Sequence, residues 1–237
     1  MLKIELIKNS PLRILEKSVH GGVGRGNIGV LAARQGVGKT ACLVHIATDK
    51  LFQGKHVIHV SFAVSPAHII SWYEDIFEEL ARRLKLENAM DIHDEIVKNR
   101  VIMNFNQEGV PIEKVGASLR SMIRDGGFAT DCLIIDGYDF EKGSPADLVV
   151  FRQLAADLGL EIWFSASLRE KEVSFDAQGF PAVLTSYLEH IAVFIYLKAD
   201  EGAIRLELKK DHEHIPQTDL HLRLDPKILL ITDEKQS

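Results

Sequence analysis

The residues best suited to chemistry lie in one short segment, where two glycines separated by one residue are followed by a lysine and a threonine. Gly36, Gly38, Lys39 and Thr40 fit the spacing of a phosphate-binding loop, although Ala33 stands where that pattern has its first glycine. Glycines leave room for phosphate oxygens to approach the backbone. A lysine in this position meets the outer phosphates, and the threonine hydroxyl contacts the accompanying magnesium ion. The segment therefore predicts a polyphosphate site that holds Mg2+.

The sequence on either side of this segment matches the context that such a loop requires. Residues 28–32 are an apolar run that predicts a buried strand, and residues 41–47 continue with helical spacing. The N–H groups of the loop and the positive end of the helix then face the same space. The alternative is a glycine-rich turn in which the lysine occurs by chance. The predicted phosphate-binding residues are Gly36, Val37, Gly38, Lys39, Thr40 and Ala41.

A second candidate residue, Asp136, ends the apolar run at residues 132–136. A carboxylate at the end of such a strand is typical of groups that hold Mg2+ beside a phosphate loop, often through water. Thr40 and Asp136 are therefore the predicted magnesium ligands. The alternative is an ordinary strand-end aspartate before a turn, and Asp139 and Glu141 are weaker choices for the same role.

Composition favours a single domain covering residues 1–237, because no linker or repeat divides the chain. Hydrophobic residues make up 46% of it, which is sufficient for a large core. No segment has the roughly 20 apolar residues of a membrane span, so we expect a cytoplasmic protein without membrane contact. The net charge of −6 gives no general attraction to nucleic acid, although a local basic face remains an alternative. Cys42 and Cys132 are predicted to be buried thiols.

Alternating strand-like and helix-like segments predict an α/β fold. Strands separated by helices require right-handed crossovers and a mostly parallel central sheet with helices on both faces. Closely spaced strands near the C-terminus predict antiparallel additions at one edge of that sheet. The predicted strands are residues 28–32, 56–62, 100–105, 131–136, 161–165, 192–197, 203–208, 220–224 and 228–231. Helices are predicted from the loop to residue 52, at residues 66–84, 111–123 and 145–158, and at residues 181–189.

The glycine-rich segment at residues 21–27, the loop and the strands that follow resemble the RecA-like ATPase core, in particular its KaiC and DnaB-helicase branches. Residues 57–62, 133–136 and 162–167 fall where that core places its second, Walker B and following strands. The resemblance covers roughly residues 12–230. It implies a RecA-like P-loop NTPase fold, ATP and Mg2+ as cofactors, and at most a P-loop ATPase activity.

The resemblance fails at the position that usually activates water. Such ATPases carry a glutamate just after the second strand, where this chain has Ala63. Glu74 and Asp75 are placed too far along the next predicted helix to replace it, and no acid directly follows Asp136. The catalytic residue is therefore unknown, and we expect hydrolysis to be slow or absent.

The resemblance also implies a ring-shaped homo-oligomer, in which a basic residue from a late strand reaches the γ-phosphate of the neighbouring subunit. Lys209 and Lys210 occupy that region, followed by Asp211 where the helicase branch leads us to expect an arginine. The alternative is a pair of solvated lysines at a strand end.

Three weaker patterns have ordinary structural explanations. Ser165 and Ser167 could sense a phosphate, but serines near a strand end more commonly form turns. His212 and His214 would share one face of an extended strand and suggest a metal site, yet alternating charged residues usually form a solvent face. The apolar stripe that includes Tyr73 predicts core packing rather than cofactor stacking.

The sequence leaves three functions. The favoured one is an ATP-binding protein that hydrolyses ATP slowly if at all and uses the nucleotide as a conformational or assembly signal. One alternative is a DNA-dependent ATPase motor whose catalytic carboxylate comes from elsewhere. The acidic charge and the lack of a loop with interleaved aromatic and basic residues count against it. The second alternative is a scaffold that has lost nucleotide binding. This alternative is disfavoured by the intact loop residues Gly36, Gly38, Lys39 and Thr40.

Overall fold

The structure, a computed structural model, describes residues 3–63, 65–169, 173–200, 203–216 and 218–233. Its described residues contain the strands β1 (Ile28–Arg34), β2 (Val57–Ser61), β3 (Arg100–Asn104), β4 (Cys132–Asp136), β5 (Glu161–Leu168), β6 (Val193–Asp200), β7 (Ala203–Asp211), β8 (Thr218–Asp225) and β9 (Leu230–Asp233). All of them join one sheet with the order β3-β2-β4-β5-β1-β6-β7-β8-β9. The predicted strands are therefore all present, and the chain has the expected α/β fold.

The sheet is parallel on one side and antiparallel on the other. Strands β1 to β6 run parallel to their neighbours, whereas β7, β8 and β9 are added in antiparallel pairs beyond β6. The antiparallel edge formed by the C-terminal strands was expected. The long connection between β5 and β6 allows a crossover, so β6 lies parallel to β1.

Helices cover both faces of the sheet, as expected. Their bounds are α1 (Lys3–Asn9), α2 (Leu12–Ser18), α3 (Lys39–Phe52), α4 (Pro66–Leu84), α5 (Ala89–Lys98), α6 (Ile112–Arg124) and α7 (Pro145–Leu158), with a 3₁₀ helix at Ala182–His190. Buried side chains of α1 to α5 pack on one face, and those of α6, α7 and the 3₁₀ helix pack on the other. No helix in these described ranges is both long and apolar enough to cross a bilayer.

The central strands are apolar because both of their faces are covered. Every residue of β2 and of β4 is buried. In β1 every residue is buried except the last, Arg34. Cys42 and Cys132 are buried and free, as predicted. Consequently the carboxyl ends of β1, β2, β4 and β5 form one rigid edge, and the candidate residues lie along that edge.

Candidate functional site

The loop between β1 and α3 has a backbone that requires glycine at two positions. Gly36 has φ +80° and Gly38, which precedes the first turn of α3, has φ +104°. Side chains rarely tolerate this left-handed region. A Cβ on Gly36 would meet no atom within 4 Å, whereas a Cβ on Gly38 would collide with the side chain of Leu224 from β8. The loop is therefore open at Gly36 and packed against β8 at Gly38.

Lys39 supplies a buried cation at the start of α3. Its side chain is only 6% exposed, and its Nζ donates hydrogen bonds to the carbonyl oxygens of Ala33 at 3.3 Å and Arg34 at 3.0 Å. No ion pair of Lys39 with a carboxylate is found among the described residues. Burial lowers the pKa of Lys39 to about 8, while the nearby carboxylate of Asp136 acts in the opposite direction. This ammonium group therefore lacks a fully compensating anion.

The lowered pKa of Lys39 predicts that binding of a polyphosphate weakens at alkaline pH. An anion beside Lys39 favours the charged form, so binding must take up a proton wherever the free protein has already lost it. Above a pH of about 8 we expect the affinity of the loop for a polyphosphate to fall by up to about tenfold per pH unit. Calorimetry between pH 7 and pH 9.5 tests this. The matched control is Lys39→Arg, whose guanidinium stays charged; an equally steep fall in that variant would contradict the assignment.

Thr40 and Asp136, the two predicted magnesium ligands, meet at the edge of the sheet. The Thr40 hydroxyl donates to Asp136 Oδ2 at 2.8 Å, although the two residues lie 96 positions apart. The Ser165 hydroxyl donates to Asp136 Oδ1 at 2.6 Å and accepts from the N–H of Gly137 at 2.9 Å. Asp136 is 4% exposed. Its carboxylate is thus held by two hydroxyl groups in a fixed orientation.

Ser165 does not form the turn that is usual for serines near a strand end. It lies inside β5 and is buried, and its hydroxyl orients Asp136 from the neighbouring strand. Such a contact depends on the register between β4 and β5, which pairs Ile135 with Phe164. The sequence shows Ser165 only as a polar residue in a mostly apolar strand, and its contact with Asp136 becomes visible in the structure.

Ala63 lies beside Gly137, the residue that follows Asp136. A Cβ on Gly137 would come within 2.5 Å of the Ala63 Cβ, so the segment after β2 packs directly against the residue that follows Asp136. Ala63 itself is exposed. An exposed alanine therefore stands where the resemblance leads us to expect a glutamate.

The other acidic candidates are engaged elsewhere. Glu74 on α4 pairs with His93 at 2.5 Å and with Arg100 at 3.4 Å. Asp139 pairs with Arg169 at 2.9 Å, and its backbone is held by both ends of the Gln107 amide. Both carboxylates are thus held in ion pairs with residues outside the phosphate loop.

Lys209 and Lys210 have partners within their own chain. Lys210 Nζ donates to the carbonyl oxygens of Leu188 at 2.6 Å and Ile191 at 2.7 Å, which ties it to the end of the 3₁₀ helix. Burial lowers the pKa of Lys210. Lys209 pairs with Glu207 at 2.9 Å. Of the two, Lys209 is the residue whose contact is easier to exchange.

The late histidines do not form a metal site in the described part of the chain. His212 lies in a turn after β7, and its Nδ1 bonds to Asp211 at 2.8 Å, while His20 contacts the other oxygen of that carboxylate. The described residues contain no group of three or more His, Cys, Asp or Glu residues suited to a metal ion. Tyr73 is buried and bonds to His59, so it belongs to the core.

No protein-family model matches this chain, and no curated protein is significantly similar to it. Its function must therefore be inferred from the geometry of the loop and of the strand ends around it.

Proposed function

We propose that this chain is a RecA-like P-loop protein that binds ATP with Mg2+ and hydrolyses it slowly or not at all. The observation that carries the proposal is the hydrogen bond between Thr40 and Asp136. It joins the two candidate motifs at the carboxyl edge of a parallel sheet, where ligands of open α/β sheets bind. A chance glycine-rich turn gives no reason for its threonine to meet a buried carboxylate from another strand.

The loop offers a triphosphate the groups that it needs. N–H groups at the start of the 14-residue helix α3 carry the positive end of the helix dipole. Lys39 adds an ammonium group without a carboxylate ion pair in the described residues, and the open side of Gly36 leaves space for phosphate oxygens. Together these groups favour an anion that is larger and more highly charged than a single carboxylate.

Thr40 and Asp136 fit Mg2+ by their chemistry. Both present oxygen atoms, and Mg2+ binds proteins through one or two such ligands, together with phosphate oxygens and water. The absence of a larger acidic cluster in the described residues agrees with a site in which the nucleotide supplies the other ligands. When bound there, the ion would neutralise charge on the outer phosphates.

Nucleotide occupancy can be transmitted beyond the loop. Leu224 of β8 packs against Gly38, so a change in the loop backbone alters the packing of the antiparallel edge. We propose that this edge reports the nucleotide state, and that the protein acts as a cytoplasmic homo-oligomer. Lys209 is then the residue that would exchange Glu207 for the γ-phosphate of a neighbouring subunit.

Replacing Asp136 tests the magnesium part of the proposal. We expect Asp136→Asn to weaken ATP binding in the presence of Mg2+ by about 10- to 100-fold, while binding in EDTA changes little. Calorimetry measures both. Asp157→Asn is the control, because Asp157 on α7 is a surface carboxylate that pairs with Arg120 of α6. The proposal fails if the unmodified protein does not bind ATP with Mg2+ at millimolar concentration.

A further inference from the structure

A cavity of about 330 Å3 lies between α1, α3, the end of α4 and the hairpin of β8 and β9. Helix α3 contributes His45, Asp49 and Phe52, which share one face of the helix at spacings of four and three residues. Leu84 belongs to the wall formed by α4, and Ile231 belongs to β9. Ligand pockets have volumes of roughly 300–1,000 Å3, and an apolar cavity of about 150 Å3 already binds benzene. The cavity is therefore large enough for a small organic molecule.

The cavity is separated from the phosphate loop along the axis of α3. His45 and Phe52 follow Lys39, the first residue of that helix, by six and thirteen residues. At a rise of about 1.5 Å per residue, they lie about 9 and 20 Å further along the axis. A ligand in the cavity therefore contacts the middle and the C-terminal end of α3 rather than the end that carries the loop.

Much of the surface that lines the cavity is apolar and buried. Leu6, Leu80 and Leu230 are each less than 10% exposed, and Phe52 is 1% exposed. These side chains already belong to the hydrophobic core, so the protein presents the apolar surface without rearrangement. Removal of apolar area from water is favourable whatever the shape of the group that carries it. The cavity therefore favours a ligand with a mainly apolar body.

His45 provides the cavity with a directed hydrogen-bond donor. Its Nδ1 accepts the backbone N–H of Ile231 at 2.9 Å, so the proton of the neutral ring is on Nε2. Burial lowers the pKa of His45 to about 4, which keeps the ring neutral at pH 7. The residue lines the cavity and is 3% exposed, and no hydrogen bond of its Nε2–H is found among the described residues. A buried donor without an acceptor carries a cost that an acceptor on a ligand removes.

The charges around the cavity favour a neutral ligand. Its described lining contains the carboxylates of Asp49, Asp225 and Asp233. The cation of the lining is Arg83, whose Nε donates to Glu79 at 2.6 Å. An anion would be repelled by the carboxylates, and a cation would face the proton of the imidazole. Either charge would also lose its hydration in an apolar cavity.

We propose that this cavity binds a small uncharged organic molecule with an apolar body and a carbonyl oxygen that accepts the Nε2–H of His45. Ketones, esters and amides have this chemistry. The inference does not rest on nucleotide binding, because none of the described residues that line the cavity belongs to the phosphate loop. It adds a second ligand site to the protein.

The test uses acetophenone and α-methylstyrene, which have nearly the same shape, although only acetophenone has a carbonyl oxygen. Both should bind the whole chain in titrations followed by saturation-transfer NMR. His45→Phe keeps a ring but lacks the donor. In this variant the affinity for acetophenone should fall about 3- to 10-fold relative to that for α-methylstyrene, as expected for one neutral hydrogen bond. Benzoate and benzylammonium, charged probes of similar size, should bind more weakly than acetophenone.

A second readout needs no substitution at His45, whose loss leaves the N–H of Ile231 without its acceptor. In protein that contains isotope-labelled histidine, acetophenone should shift the Nε2–H resonance of His45 downfield, and α-methylstyrene should not. Leu84→Trp, at a half-buried position of the cavity wall, should fill the space and abolish binding of both probes. Val97→Trp, at an exposed position on α5, is the control and should change neither.

Any of five results would overturn the proposal. The first is a lack of acetophenone binding at millimolar concentration, and the second is binding that survives Leu84→Trp. The third is an Nε2–H resonance of His45 that acetophenone does not move, with an unchanged affinity ratio wherever His45→Phe folds. The fourth is tighter binding of either charged probe than of acetophenone. The fifth is adenosine binding that Leu84→Trp abolishes, which would assign the cavity to the nucleotide instead.

Discussion

Lys39→Ala is expected to lower ATP affinity by at least about 100-fold while the protein stays folded. Hydrogen bonds from a charged donor are worth about 1.5–3 kcal/mol each, and Lys39 would give at least two to the phosphates. Among the described residues, its hydrogen-bond partners are the carbonyl oxygens of Ala33 and Arg34. Removing the side chain breaks no direct ion pair in the described residues, and the nearby Asp136 carboxylate keeps its hydrogen bonds from Thr40 and Ser165. The substitution therefore avoids the large loss of stability that follows when a buried charge loses its direct partner.

Thermal denaturation and calorimetry on the same samples measure this result. The midpoint should stay level or rise slightly, since burial already disfavours the charged form of Lys39 and lowers its pKa. Lys39→Met keeps the packing of the aliphatic stem and should lose affinity to the same extent. Lys114→Ala, at an exposed position on α6, is the matched control. Unchanged ATP affinity in a folded Lys39→Ala protein would remove the basis for a nucleotide site.

Continuous apolar runs, together with the residues that begin and end helices, were sufficient to predict most of the fold. The helix that starts after Ser65 and the one that ends at Gly159 lie where the sequence places them, because each has a specific capping signal. Strand β9 was expected at residues 228–231 but is Leu230–Asp233, since Leu229 takes a left-handed turn conformation with φ +58°. Helices α1, α2 and α5 were not predicted. They are short, and their stability comes from packing that a single sequence does not show.

The candidate site also contains residues that the sequence predicts and contacts that it does not. Motif spacing identifies Lys39, Thr40 and Asp136, because local backbone geometry fixes what those residue types can do. The contact of Ser165 with Asp136 depends on strand register, and the cavity at His45 is formed by helices and strands that are distant in the sequence. Neither relation is local, so no periodicity or motif in the sequence contains it.

The unmodified protein is expected to hydrolyse ATP slowly. The proposed roles of Lys39 and Thr40 in phosphate binding do not require a general base, so ATP should bind but hydrolyse slowly. A group that orients and activates water is typically worth about 10² to 10⁴-fold in rate. Ala63 packs beside Gly137, the residue that follows Asp136, and is exposed. Ala63→Glu therefore places a carboxylate where water near the outer phosphate could be activated.

We expect Ala63→Glu to raise the magnesium-dependent ATPase rate by at least about 100-fold, measured as phosphate release under saturating ATP. Ala63→Gln has almost the same shape but cannot take a proton, so it should stay at the basal rate. Adding Lys39→Ala to Ala63→Glu should abolish the gain, which ties the effect to this loop. Brisk hydrolysis by the unmodified protein would instead require Glu74 or Asp139 to leave its ion pair with Arg100 or Arg169. In that case Glu74→Gln or Asp139→Asn, rather than any change at Ala63, would control the rate.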